Sequence, residues 1–251
     1  VIQRLKSFAL LALVLLVWQG VAGDLLPRLA PDAALLFPAP STIALTAWDL
    51  LSDGELEGHL ASSLRRELMA FLFSASAIPL GIAMAWWPAV NRQLYPLVEV
   101  LRPIPPLAWI PLSILWFGLG DAQNQFIIFL GMFFPLLINT AAGVRLVEED
   151  MLEAAYTLGA PSWRVLWRVV LPQSLPHILT GIRVALGTGW MALVAAELVG
   201  ASSGLGFLIN DARTLLRTDI VVVGMLSIGL AGLAMDLIIG RTALRLFSWR
   251  G

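Results

Sequence analysis

The stretch "EAAYTLGAPSWRVLWRVVLP", Glu153–Pro172, decides how this chain is to be read: it carries one acid, two arginines and a helix break, with very apolar sequence on both sides. Just ahead of it, Glu148, Glu149 and Asp150 put negative charge at a helix start, where the backbone dipole favours it. Gly159 suits the left-handed residue that ends a helix, and Pro161 suits the first turn of the next. The spacing predicts two short helices at an angle. On the second, Trp163 and Trp167 stand four residues apart, as do Arg164 and Arg168, so an aromatic face and a basic face are expected. Leu171 and Pro172 close the segment. Two uses fit: an interfacial helix settled among lipid headgroups, or a docking element for a soluble partner, since tryptophan and arginine are enriched at binding hot spots.

The flanks are membrane sequence. Of 251 residues 59% are hydrophobic and 13% charged, about half the charge of an ordinary soluble domain. A net charge of -1 gives no basic excess for a nucleic acid. The absence of cysteine removes disulfides, thiol nucleophiles and thiolate metal sites. A phosphate-binding loop needs a lysine followed by Ser or Thr after a glycine run, and the only lysine is Lys6, followed by Ser7 with no such run before it. The chain is therefore not expected to be an enzyme or to bind ATP, magnesium or another metal itself. His59 and His177 stand apart, without an HExxH pattern or a carboxylate cluster.

An all-α membrane protein of about six spans follows from the apolar runs. They fall near Ser7–Gly23, Leu64–Trp87, Val98–Leu119, Asn124–Val144, Ile178–Leu198 and Ile220–Gly240. The first also fits a secretory signal, but a retained anchor is favoured because five spans follow. Residues 1–60 then form an N-terminal anchor and extracytoplasmic segment, with a short helix at Thr42–Leu51, and 61–251 a core with five further spans that contains the segment 148–172. Pro103, Pro105, Pro106 and Pro111 predict a broken entry to the third span that straightens after Pro111. With the N-terminus cytoplasmic, Arg28, Arg65, Arg66, Arg213 and Arg217 fall outside and the other 11 of 16 basic residues inside, so both termini and the opening stretch are expected in the cytoplasm.

Glu153, Ala154, Ala155, Gly159, Leu171 and Pro172 resemble the EAA signature of the membrane subunits of binding-protein-dependent ABC importers. The resemblance runs from about His59 to Arg245. It is strongest with the branch that imports taurine, alkanesulfonates, nitrate or bicarbonate, through "LRPIPPLAWIPL" (Leu101–Leu112), "WFGLG" (Trp116–Gly120), "AAELVGASSGLG" (Ala195–Gly206) and "TDIV" (Thr218–Val221). "TGIRVALGTGWMALVAAEL" (Thr180–Leu198) is most similar to taurine permeases. The resemblance implies a type I importer fold and a coupling helix at Glu153–Pro172, with Trp163, Arg164, Trp167 and Arg168 touching or bracing the partner. It also implies two separate ATPase subunits that hold ATP and magnesium, a second permease copy, an extracytoplasmic binding protein and a bacterial inner membrane.

Residues for a translocation path are harder to choose. Ionisable groups inside spans are functional candidates by default, which selects Arg183 and Glu197, with Asp236 a structural partner for Arg183. Asn139, Thr140 and Thr188 are expected polar linings. Gly181, Ala185 and Gly189 form a small-residue stripe that suits helix packing or a sliding interface between two copies. Gly200–Gly206 reads as an outer re-entrant, gating or ordinary loop. A secondary transporter would need paired carboxylates at mid-membrane, and an enzyme a converging catalytic set. The chain offers neither.

Overall fold

The computed structural model describes residues 2–30 and 36–246. Side chains at 1–9, 11 and 242–251 lie outside that description, including Arg4, Lys6, Arg245 and Arg250, which entered the orientation count. The described backbone is helical with no strand, as lipid requires of a chain that must satisfy its peptide groups internally.

Helix α1 (Ile2–Gly20) continues through a π-helical turn at Val21–Leu25 to Leu29. The helices that follow are α2 (Pro40–Ser52), α3 (Glu55–Ser74), α4 (Ala77–Trp86), α5 (Pro88–Leu101), α6 (Ile110–Phe117) and α7 (Asp121–Arg145). After them come α8 (Glu149–Thr157), α9 (Ser162–Gly200), α10 (Leu205–Thr214) and α11 (Thr218–Leu246). Among the described residues five stretches are long and apolar enough to cross a bilayer: Ala12–Leu29, Glu55–Trp86, Asp121–Arg145, Ser162–Gly200 and Thr218–Arg241. A sixth exists if Pro88–Leu101 and Pro106–Phe117, bent by 85°, count as one.

The predicted break in the third span is present and is sharp. The break falls at Arg102–Pro105, a 3-10 turn follows at Pro106–Trp109, and α6 has only eight residues. Eight residues rise about 12 Å, far short of the ~30 Å hydrocarbon core. Pro111 is harmless in the first turn of α6, where its missing N–H has no partner to lose. Gly118 (φ +73°) and Gly120 (φ +137°) then end the helix before it can span. The second span is likewise longer than expected, since α3 begins at Glu55 and not near Leu64.

Contacts divide the chain into two compact units: residues 1–63 with 202–230, and 64–201 with 231–251. Ser202–Leu230, placed by sequence in the core, groups with the N-terminal part. In the first unit, the start of α10 has no side-chain cap of its own. His59 Nδ1 accepts from the Gly204 N–H (3.0 Å) and Ser63 Oγ from the Leu205 N–H (2.9 Å), supplying the acceptors a helix start lacks. The loop Gly200–Gly206 therefore leads into a capped helix. Thr46 Oγ1 donates to Asp219 (2.9 Å), which also pairs with Arg217.

The second unit is centred on α7 lying along α9, with α4 against α7. Close approach explains its glycines. A Cβ on Gly189 would lie 2.3 Å from Met132, one on Gly181 2.8 Å from Asn139, and one on Gly81 2.8 Å from the Leu137 carbonyl. The predicted stripe of Gly181, Ala185 and Gly189 is thus consumed by packing on α7 and is no free face for a second copy. Ile127, Ile128, Met132, Leu136 and Leu193 fill the centre.

Candidate functional site

The opening stretch folds as a sharp elbow between α7 and the long rod of α9. Glu148 leads in with extended backbone, and Glu149 and Asp150 occupy the first turn of α8. At the far end the Gly159 N–H donates to Tyr156 O (2.9 Å) and the Ala160 N–H to Ala155 O (3.1 Å). This pair of reversed bonds is the Schellman motif, and it needs the left-handed φ of +78° that Gly159 supplies. Pro161 is extended and accepts from the Arg164 and Val165 N–H groups, so it caps α9 from just outside the helix. The sequence expectation, a place inside the first turn, is off by one position.

Three buried residues fix the elbow's inner face. Val165, Leu166 and Val170 pack with Val144 and Val147 at the end of α7, and Trp86, Leu152, Ala155 and Ala160 close around them. Each such side chain contributes about 1.5–3 kcal/mol by leaving water. A π-helical turn at Leu166–Val170 sets the path of α9. The outer face is left open. Trp163 and Trp167 are 62% and 65% exposed and Leu158 87%, the Arg164 guanidinium sits 5.4 Å from the Trp163 ring centre, and Glu153, Ala154, Arg168 and Pro172 are exposed. Leu171 is half-buried against the apolar base. Sequence separated an aromatic face from a basic face, whereas both are exposed and the aliphatic residues between them point inward.

The expected path residues have mostly structural surroundings. Pro135 interrupts α7 and has no N–H for the carbonyl of Gly131, one turn back. Thr188 Oγ1, on α9, donates to that carbonyl at 2.8 Å and repairs the gap. Asn139 Nδ2 donates to Pro135 O (2.8 Å), again within α7. Thr140 is fully buried where α4 approaches α7. Arg183 and Asp236 make the expected pair, Nη2 to Oδ2 at 2.6 Å with Nε on Oδ1, at side chains about half exposed.

Glu197 does not line an open path. It is buried, and Arg66 Nη1 reaches its Oε1 at 2.8 Å. The other edge of Arg66 holds Asp121 at 2.7 Å, with Glu67, Gln123 and Asn124 buried nearby on the same helices. The sequence places Arg66 among the exterior charges, and the structure commits it to this knot instead. Its signal was the spacing Ser63, Arg66, Glu67, Ala70 and Ser74, a single buried face of α3.

The family of binding-protein-dependent transport system inner membrane components matches residues 77–247, a region that contains the elbow and most of the second unit. The chain belongs to that family. This ABC importer permease is 49% identical over 203 residues to a putative ABC transporter permease of Methanocaldococcus jannaschii, covering 80% of this chain and 76% of that one. It is 40% identical to the taurine transport system permease protein TauC of Escherichia coli, covering 99% of this chain and 91% of TauC. Among solved structures it matches the MetNI methionine ABC transporter in an inward-facing conformation, with a TM-score of 0.60 at 19% identity, covering 74% of this chain and 94% of that chain. That likeness is one of fold, and the fold is the type I importer permease. As a family member the permease is a multi-pass membrane protein of a transporter, with ATPase and binding-protein partners.

Proposed function

We propose that this permease carries taurine or a closely related sulfonate into the cell. The observation that carries the substrate reading is the match to TauC at 40% identity over 99% of the chain. Two copies form the pathway, two ATPase subunits holding ATP and magnesium sit at the cytoplasmic face, and an extracytoplasmic binding protein delivers the substrate. Both termini are cytoplasmic.

The elbow is the contact for the ATPase. Exposed Trp163 and Trp167, with Arg164 and Arg168 beside them, supply the anchors such a contact needs. Val165, Leu166 and Val170 bind the elbow to the core, so a push on its outer face is carried into α9 and not absorbed locally. Closure of the ATPase pair then moves α9 and α7 as bodies, opening the cavity alternately to either side. No chemistry is done on the substrate, and weak contacts in the path suffice because the binding protein selects it.

The test is ATP hydrolysis by the permease assembled with its ATPase in lipid vesicles, with binding protein and one anion added at a time. Taurine is expected to stimulate hydrolysis, and Glu153→Ala or Gly159→Pro to abolish that rise while the complex still assembles. Stimulation by nitrate or bicarbonate alone would reassign the substrate. Stimulation untouched by both substitutions would remove the elbow from the coupling path.

A further inference from the structure

Helices α4, α5 and α7 border a second feature of the core unit, a half-open cavity of ≈ 250 Å³ lined by buried Met84, by Glu99 and by the exposed Tyr95, Arg102, Ala142 and Arg145. One water needs only ~10–15 Å³ of such volume, so the space admits a small organic ion with water around it. Its charge is unbalanced. Arg102 Nη2 is paired with Glu99 Oε1 at 2.9 Å, which neutralises both. Arg145 Nη2 bonds only a neutral acceptor, Asn91 Oδ1, at 2.8 Å, and among the described residues no carboxylate pairs with it. Arg145 is exposed at the edge of this space, and an unpaired cation there draws anions toward the partly apolar wall beside it. The planar fork of a guanidinium suits the oxygens of a sulfonate, carboxylate or phosphate.

Position adds a second argument. Arg102 also borders a neighbouring cavity of ≈ 270 Å³ lined by Gly131, Pro135 and Thr188. The two spaces thus follow α7 from its proline break to its last residue, Arg145. Beyond Arg145 come Val147 and the apolar base of the elbow, and Trp86 of α4 belongs to that base as well. A ligand against Arg145 would lie beside the parts that the elbow moves.

We propose that this cavity is a low-affinity site for a small oxyanion, with Arg145 as its charge anchor and Arg102 as the residue shared with the space above. It deepens the proposed function and rests on the reading of the permease as an anion importer. A sulfonate in transit and a lipid headgroup phosphate have the chemistry in common, and the experiment separates them.

The natural absence of cysteine allows a direct test. Ala142→Cys places one thiol in the cavity wall of the permease, which is then assembled with its ATPase in phosphatidylcholine vesicles. The thiol is labelled with a sulfonate-bearing or a trimethylammonium-bearing methanethiosulfonate, and the ratio of the rates is compared with that for a free thiol. The site predicts a ratio shifted roughly tenfold toward the sulfonate reagent, the low end of electrostatic focusing. Arg145→Gln should erase the shift and Arg145→Lys should largely keep it, which separates lost charge from lost folding. Protection by millimolar taurine would assign the site to the transported ion; protection by added phosphatidylglycerol, and none by taurine, would assign it to lipid phosphate. An unshifted ratio, or a shift that survives Arg145→Gln, overturns the proposal and leaves Arg145 as a complement to the α7 dipole. Labelling needs no ATP or binding protein, so this site and the import of taurine fail independently.

Discussion

At its N-terminal end α9 exposes Trp163 and Trp167 above a base of Val165, Leu166 and Val170, whereas at its C-terminal end it hides Glu197 completely against Arg66. About 58 Å of helix separates the two ends of its 39 residues. The N-terminal end is held by shape and by apolar area shared among several side chains. The C-terminal end is held by one guanidinium serving two carboxylates, Glu197 and Asp121, from two helices. A pair of that kind either keeps its geometry or leaves a charge stranded.

Substitutions that break each end should differ in size. Arg66→Met leaves Glu197 buried without its partner, and a loss of about 3–5 kcal/mol is expected in unfolding of the purified permease. The double change Arg66→Met with Glu197→Leu should recover much of it, and a single variant as stable as wild type would refute the C-terminal half of the contrast. Val170→Ala removes two buried methyls from the elbow's base, costing about 2 kcal/mol by the same measurement. Gly159→Ala meets no atom within 4 Å but must hold φ +78°, so about 1–2 kcal/mol is expected from backbone strain alone. A larger loss would reveal a contact that the open space around Gly159 does not contain. Trp163→Ala should move stability by no more than ~0.5 kcal/mol, yet weaken co-purification of the ATPase. Equal and large stability losses at Trp163 and Val170 would erase the distinction between outer face and base.

Much of the elbow was legible because its cues are local. Gly159 and Pro161 act within a few residues, and the four-residue spacing of Trp163 with Trp167 is read along one helix. The Arg66 knot was not legible, because the chain separates Arg66 from Glu197 by 131 residues and a charge near a helix end reads equally as exterior. The third span was legible only in part, for a related reason. Pro103 to Pro111 announced a break, but only folded geometry put the 85° bend before Pro106 and left α6 too short to cross without α5.

By itself the sequence determined a helical membrane chain with a charged elbow, since lipid admits only backbones that bond internally and local turn chemistry marks where helices stop. Tertiary structure alone decided which polar groups are spent inside. Thr188 repairs the carbonyl freed by Pro135, and Arg66 is committed to Glu197 and Asp121. Arg145 is left facing a cavity beside a neutral asparagine. The physical reason is that a buried polar group is defined by its partner, and partners come from other helices at distances that no local pattern encodes.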